Sequence, residues 1–327
     1  MSAVKIGFVG AGGNARGHMA RLAAIDGVEL VAICDLDEAR AQESAAQYQA
    51  RAYTDYHRML DEQEMHALYV SVPPFAHSDA ELLAARAGLH LFVEKPVVLD
   101  LDLGREIAKA IDDAGVVSCV GYQLRLLDST RRARDFLVGK TVAMVATRRW
   151  GGLPSAPWWR KMDQSGGQLV EQTTHQVDLI RYMMQDEIVE VEARYALRTM
   201  ADVEGLDIPD TQCVLFQCAS GALGTLSTSP MLNKGAGRGE LEFLLRDQIL
   251  CWSTNRNHLE PAPEQELEVT AEPQPTPNID QSFVAAVLAG SPALSPCPYR
   301  DGLQTCAVTL ACNAAAEAGQ PVEVPLV

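Results

Sequence analysis

Short apolar runs alternate with amphipathic stretches along the first 121 residues. Residues 4–9 (Val-Lys-Ile-Gly-Phe-Val) read as a strand ending in a glycine-rich turn. From Asn14 to about Ile25 the pattern is helical, with Met19, Leu22, Ala23 and Ile25 on the apolar side. Residues 28–34 are apolar apart from Glu29, as in a parallel strand covered on both faces. Asp35 ends that run, and residues 36–48 read as a helix. The alternation predicts strand 67–72, helix 75–87, strand 89–94, helix 100–114 and strand 116–121. Strands and helices in turn at this spacing mean βαβ units and a parallel sheet. With right-handed crossovers the doubly wound α/β topology follows.

After Gly121 the pattern changes. It predicts a helix over 124–138, a strand over 141–149, a Gly/Pro/Trp-rich loop over 151–166 and one long helix from 167 to 185. Strand-like runs follow at 188–198, 211–218, 222–228, 240–246 and 248–253, joined by short turns. Such an order indicates an antiparallel or mixed sheet, and therefore a second domain of α+β type. Residues 255–277 are rich in Pro and Glu and are expected to contain a surface loop. Helices 279–289 and 299–318 close the chain. The boundary falls between 122 and 123, giving domains 1–122 and 123–327, with the C-terminal helix able to pack back on the first. No internal repeat of solenoid period is visible.

Composition adds exclusions. The 327 residues suit two cores better than one. Hydrophobic residues at 47% and charged ones at 21% fit an ordinary globular protein. Lys and Arg number 27 against 43 Asp and Glu, a net charge of −16. That field repels polyanions and argues against nucleic acid or an anionic membrane as partner. The densest positive stretch, Arg125, Arg131, Arg132 and Arg134, reads as a solvated helix face. The chain opens Met-Ser-Ala-Val-Lys and passes directly into a strand, without a basic-then-apolar leader. No apolar stretch approaches the roughly 18 residues of a membrane helix. The eight cysteines form no Cys-x-x-Cys pair and no zinc spacing, and most lie in apolar runs. A reduced, cytoplasmic protein without a disulfide framework is expected.

Gly10-Ala11-Gly12-Gly13-Asn14-Ala15 fits G-x-G-x-x-(G/A). The first glycine permits the tight turn, the second lets backbone approach a diphosphate, and small Ala15 lets the helix pack on the sheet. The helix beginning there offers unpaired N–H groups and a positive dipole end to an anion. Alone the pattern is weak. A preceding strand, a following helix and an acid about 20 residues on, Asp35, raise it to a dinucleotide-binding fingerprint. Asp35 would accept a hydrogen bond from a ribose 2′-hydroxyl and repel a 2′-phosphate, so NAD is expected over NADP.

Strand 89–93 runs into Glu94-Lys95-Pro96, at the rim where open α/β sheets bind ligands. Pro96 bars helical geometry at Lys95. On the motif alone, a catalytic lysine and an exposed Lys–Glu pair in a turn stand level. At this point the sequence resembles the glucose–fructose oxidoreductase / inositol dehydrogenase (Gfo/Idh/MocA) family. The glycine turn, Val72-Pro73-Pro74 with His77, Glu94-Lys95-Pro96-Val97, Gly166-Gly167 and His175-Gln176-Val177-Asp178 occur in family order and span nearly the whole chain. The resemblance implies an N-terminal Rossmann domain that holds NAD through Gly10, Gly12, Gly13, Asn14, Ala15, Asp35, Val72, Pro73, His77, Glu94, Lys95 and Gln123. It implies a second domain with a large, open, mostly antiparallel sheet that binds substrate and forms a homodimer or homotetramer. It also implies that Lys95 is catalytic, commonly preceding a cis proline, and that the substrate is a sugar, polyol or related hydroxy compound.

Glu171, His175, Asp178 and Tyr182 fall at i, i+4, i+7 and i+11 of the helix predicted over 167–185, opposite apolar Val170, Val177, Ile180 and Met184. The stripe could be exposed polarity, a metal pair or an active-site wall. No third ligand has recognisable spacing, so no metal is expected. The resemblance favours the wall, placing His175 on the family's catalytic histidine and Asp178 on the acid three residues later. The family's usual Asp-x-Gly-x-His is here Glu171-Gln172-Thr173-Thr174-His175, which implies a differently shaped pocket. His175 suits a general base, its unperturbed pKa lying near 6.5. A lysine ammonium at Lys95 would stabilise developing alkoxide. Glu171 or Asp178 would bind substrate or orient the imidazole.

Trp158 and Trp159 could pack on a sugar face or anchor their loop. Gln123 and Arg125 follow the last Rossmann strand at a position that in relatives often faces the cleft, and Arg125 is expected to bind substrate. His77 reads equally as a capping or packing residue. His18, His57, His66, His90 and His258 read as ordinary surface or packing histidines. An NAD(P)-dependent dehydrogenase acting on CH–OH is the leading reading. An NAD-using glycosidase or lyase without net redox, and a non-catalytic NAD-binding sensor, are the alternatives.

Overall fold

The computed structural model describes residues 3–234, 237–254, 256–260 and 277–327. The chain divides into two units, Met1–Gly121 with Pro277–Leu303, and Tyr122–Thr276 with Gln304–Val327.

The first unit contains β1 (Val4–Val9), α1 (Gly13–Leu22), β2 (Val28–Cys34), α2 (Glu38–Tyr48), β3 (Arg51–Tyr53), α3 (Tyr56–Glu62), β4 (Ala67–Val70), α4 (Ala80–Arg86), β5 (His90–Val93), α5 (Leu101–Ala114) and β6 (Ser118–Val120). Its six strands lie in the order β3-β2-β1-β4-β5-β6, every pair parallel. This is the doubly wound topology, with its switch point between β1 and β4. Side-chain caps start α2 and α5: Asp37 accepts from the Arg40 amide and Asp100 from that of Asp102. Sequence patterning misses β3 and α3, because a three-residue strand carries no period.

The second unit contains α6 (Asp128–Leu137), β7 (Met144–Trp150), α7 (Met162–Ser165), α8 (Gly167–Glu171), α9 (Thr174–Met184), β8 (Ile188–Ala196), β9 (Thr211–Cys218), β10 (Leu223–Ser229), β11 (Leu241–Leu245), β12 (Gln248–Trp252) and β13 (Asn257–Glu260). Then α10 (Ile279–Ala289) returns to the first unit. The helix α11 (Tyr299–Ala318) gives its first residues to the first unit and the rest to the second, and β14 (Val322–Glu323) closes the second sheet. Among the described residues that sheet has eight strands, ordered β13-β12-β11-β7-β10-β9-β8-β14. All neighbours are antiparallel except β7 and β10. Along β9, residues alternate between buried and exposed, so one face is covered and the other open. The loop expected within 255–277 lies, over 261–276, outside the described residues; Asn257–Glu260 forms an edge strand instead.

One long helix over 167–185 is expected from the pattern, and the structure corrects it to two. The amides of both Gln172 and Thr173 donate to the Gln168 carbonyl, at 3.0 Å each, which ends α8. Thr173 is fully buried, and its hydroxyl lies 2.7 Å from that of Thr228 on β10. A tertiary hydrogen bond therefore holds the chain at the break, and Glu171 and His175 sit on different helices.

Three rings from adjacent strands stack inside the first unit: Phe8 on Tyr69 at 4.8 Å and Tyr69 on Phe92 at 4.4 Å. Phe283 of α10 meets Tyr69 and Phe92 edge-on, at 5.5 and 5.7 Å. Each such contact adds about 0.5–1.5 kcal/mol beyond area burial. An Asn278–Gln281 capping box starts α10. No described helix is long and apolar enough to cross a membrane. None of the eight cysteines is in a disulfide, and burial pushes the thiols of Cys34, Cys218 and Cys312 up to about 12.

Candidate active site

Parallel strands end on one edge, and the first unit's candidate residues follow the ends of β1, β2, β4 and β5. After β1, Gly10 has φ +98°, and a Cβ there would lie 2.1 Å from the Ser71 carbonyl oxygen beyond β4. Only glycine fits. Nothing stands within 4 Å of a Cβ built on Gly12 or Gly13, so the loop is open above the start of α1. The N-cap of α1, Gly12, has no side-chain cap, which leaves its first amides to an outside acceptor. Asn14 is exposed and Ala15 fully buried. After β2, Asp35 is hooked onto the loop: Oδ2 accepts from the Ala11 amide at 2.8 Å and Oδ1 from that of Asp37 at 2.9 Å. Arg40 lies 3.3 Å from Oδ1. This open glycine cradle with a carboxylate beside it fits a dinucleotide. After β4, Val72 and Pro73 are half-buried. His77 is buried, its Nδ1 2.6 Å from Glu81 Oε1.

After β5 the two charged neighbours part. Lys95 is half-buried and joined to Pro96 by a cis bond. Glu94 is buried, 7% exposed, and its carboxylate is turned inward. One oxygen accepts from the Lys95 amide at 3.2 Å, and the other lies 2.8 Å from His18 Nε2. A Cβ on Gly121 would collide with this carboxylate at 2.8 Å. His18 Nδ1 reaches Asp280 of α10 at 2.6 Å, and Asp280 also accepts from Arg21 at 2.5 Å and from the Tyr69 hydroxyl at 3.2 Å. Burial alone would lower the His18 pKa. The hydrogen bonds and charges of Asp280 and Glu94 outweigh it and lift the imidazole to about 9. The expectation of an ordinary histidine at His18 is thus corrected: it is a buried cation between two carboxylates, which spacing cannot reveal when one partner is 262 residues away.

In the second unit, Glu171 at the end of α8 is buried, and its Oε2 accepts from Trp159 Nε1 at 2.6 Å and from the Gln172 amide group at 2.7 Å. Trp159 is therefore a buried anchor, while Trp158 remains half-buried. His175, in the first turn of α9, is half-buried. The Tyr122 ring meets it edge-on at 5.8 Å, and the Tyr122 hydroxyl lies 2.7 Å from that of Thr174. Asp178 and Arg125 face each other as a buried fork, Nε to Oδ2 at 2.9 Å and Nη2 to Oδ1 at 2.5 Å. Arg125 thus departs from the solvated helix face expected of its basic stretch. Gln123 is exposed. Tyr182 carries Arg125 and Arg134 over its ring, at 4.9 and 4.4 Å. His66 and His90 accept from the backbone amides of Lys5 and Val117. His258 joins Cys251 and Glu260 in a trio with donor atoms within 4.8 Å, on the sheet edge β12–β13.

Sequence reasoning passes over Arg149. It follows Arg148 on β7 and points to the opposite face, where its guanidinium donates to Gln172 Oε1 at 3.2 Å. Burial lowers its pKa, and the Glu171 charge opposes that shift. Strand alternation fixes its face but not its neighbours, so patterning offered no signal of a cation beside Glu171.

Residues 4–122 match the oxidoreductase family with an NAD-binding Rossmann fold, and residues 132–246 match the GFO/IDH/MocA C-terminal domain. The myo-inositol 2-dehydrogenase of Thermotoga maritima is 29% identical over 69% of this chain and 68% of its own length. The inositol 2-dehydrogenase of Rhizobium meliloti is 28% identical over the same shares. Among solved structures, the WlbA dehydrogenase from Bordetella pertussis in complex with NADH and UDP-GlcNAcA superposes with TM-score 0.85. It is 24% identical, with 99% of this chain and 100% of that one covered. Levoglucosan dehydrogenase in complex with NADH and L-sorbose gives 0.84 at 17% identity, with both chains fully covered. The chain belongs to the Gfo/Idh/MocA family of oxidoreductases, whose N-terminal part is an NAD-binding Rossmann fold.

Proposed function

We propose that this protein is an NAD-dependent dehydrogenase that oxidises a secondary alcohol of a sugar, polyol or related hydroxy compound. One observation carries the reading. The open glycine cradle, Asp35 and the Glu94-Lys95-Pro96 turn all follow strand ends on a single edge of the first unit's parallel sheet. The relatives named inositol 2-dehydrogenase support the substrate class.

Gly10, Gly12, Gly13, Asn14 and Ala15 would hold the diphosphate, and Asp35 the ribose 2′-hydroxyl, which favours NAD over NADP. Val72, Pro73, His77 and Gln123 are proposed to line the cofactor. Bound NAD supplies the hydride acceptor, and the chain supplies geometry and charge. His175 takes the hydroxyl proton, the carbinol C–H leaves as hydride, and the C–O bond becomes a carbonyl. Lys95 stabilises the alkoxide as it forms. Glu94 works from beneath, anchoring the backbone of Lys95. Glu171 binds or orients the substrate, Trp158 offers a flat apolar face to a sugar ring, and the Arg125–Asp178 fork fixes the start of the second unit to α9. Eight cysteines outside any disulfide support a cytoplasmic protein, and the open face of the second sheet supports a homodimer or homotetramer.

The test is the appearance of reduced nicotinamide when NAD, or NADP in parallel, is mixed with a panel of sugars and polyols. Lys95→Met and His175→Asn should each lower kcat about 10²–10⁴-fold. Undiminished turnover by both variants overturns the reading.

A further inference from the structure

A polar row crosses the covered face of the second unit's sheet. Arg149 on β7 pairs with Thr228 on β10, and Thr228 pairs with Gln212 on β9, so register sets the three side chains on one face. Two rows along, the same face carries Val145, Gly224 and Phe216.

Two features of this row are unusual. First, Arg149 is partly buried, yet among the described residues it forms no salt bridge, whereas Arg125, Arg148 and Arg181 each touch a carboxylate. Its neighbour Glu171 is engaged by Trp159 and Gln172. Gly151 leaves the guanidinium its room, since a Cβ there would stand 2.8 Å from Nη1. Second, Gln212 is 1% exposed, and neither its side-chain oxygen nor its nitrogen has a hydrogen-bond partner. Thr228 stands between them under the fully buried Thr173, so one ligand does not bridge the two. Arg149 donates to the neutral Gln172 Oε1 at 3.2 Å, which leaves its charge for a ligand's anionic group to balance.

We propose that Arg149 binds a carboxylate of the substrate, so that the compound oxidised is a sugar acid rather than a neutral polyol. This rests on the dehydrogenase reading given above. The planar guanidinium matches a carboxylate through paired N–H···O bonds. One guanidinium balances one negative charge, and Glu171 nearby opposes a second, which favours a carboxylate over a phosphate dianion.

The experiment is calorimetric binding to the NADH-loaded protein, using uronic and aldonic acids, their neutral amides, and glucose 6-phosphate. At least one acid should bind tenfold or more tightly than its amide. Arg149→Gln should abolish that difference, and Arg149→Lys should restore part of it; melting curves establish that each variant is folded. Acids that bind no better than their amides overturn the proposal, as does a preference that survives in Arg149→Gln or tighter binding of the phosphate. Because binding is read apart from hydride transfer, an acid that binds without being oxidised counts against the dehydrogenase reading alone.

Discussion

Glu94 and Lys95 are neighbours in the chain, but the glutamate is buried and turned inward while the lysine is half-buried. The glutamate joins His18, Asp280, Arg21 and Tyr69 in a buried network that fastens α10 to α1 and to the end of β5. The network makes stability depend on pH. His18 has a folded pKa of about 9, above the ordinary 6.5, so its stabilisation is fully present below pH 6.5 and is lost as pH rises through 9. The displacement is worth roughly 3 kcal/mol. Arg21, 2.9 Å from Nδ1, opposes the imidazolium charge but shares the Asp280 carboxylate. Hydrogen bonds from His18 and Arg21 hold Asp280 below the usual carboxylate range despite its burial, so its contribution is lost in acid. Unfolding followed between pH 6 and 10 should show the wild type losing stability across that window. His18→Gln should be less stable at pH 6 and should lack that loss. Parallel pH profiles for the two proteins would refute the charged assignment.

At the scale of elements, α8 and α9 are separated by a bond that local sequence does not announce. Thr173 holds the break through Thr228, whose own hydroxyl donates to the Arg149 carbonyl at 2.8 Å. Thr173→Val keeps the shape and removes the buried hydroxyl, and denaturant unfolding should register about 1 kcal/mol of destabilisation. An unchanged unfolding free energy would mean that the break is set elsewhere. The same contrast governs what could be read from the chain. The strand–glycine turn–helix at Gly10–Ala15 and the strand-end Asp35 are local patterns, and their geometry follows from backbone sterics within a few residues. The parallel sheet was legible because buried strands are apolar throughout. The helix break and the carboxylate partners of His18 depend on elements brought together from more than 50 residues away, and the company of Arg149 on a helix 23 residues further on. Periodicity says which face a residue takes, and nothing about what stands opposite it.

At the scale of the whole molecule, net charge and the open sheet face act against each other. On the exposed face, Leu244 of β11, Met144 of β7 and Leu223 of β10 stand in register, 40%, 43% and 45% exposed. Leu215 of β9 adds a fourth apolar side chain on that face, at 48%. Two copies at −16 each repel, so association requires apolar burial to exceed that repulsion, and salt should help by screening it. A second copy would meet such a face about a two-fold axis, the commonest symmetry of homo-oligomers. Light scattering should therefore find a dimer or tetramer that strengthens with salt. Leu223→Glu, which sets a charge in the middle of the apolar row, should shift it toward monomer. Binding of NADH belongs to the other unit and should survive the substitution, which separates lost association from lost folding. A wild-type monomer at micromolar concentration, or an oligomer indifferent to Leu223→Glu, would mean that the apolar row does not bind another copy.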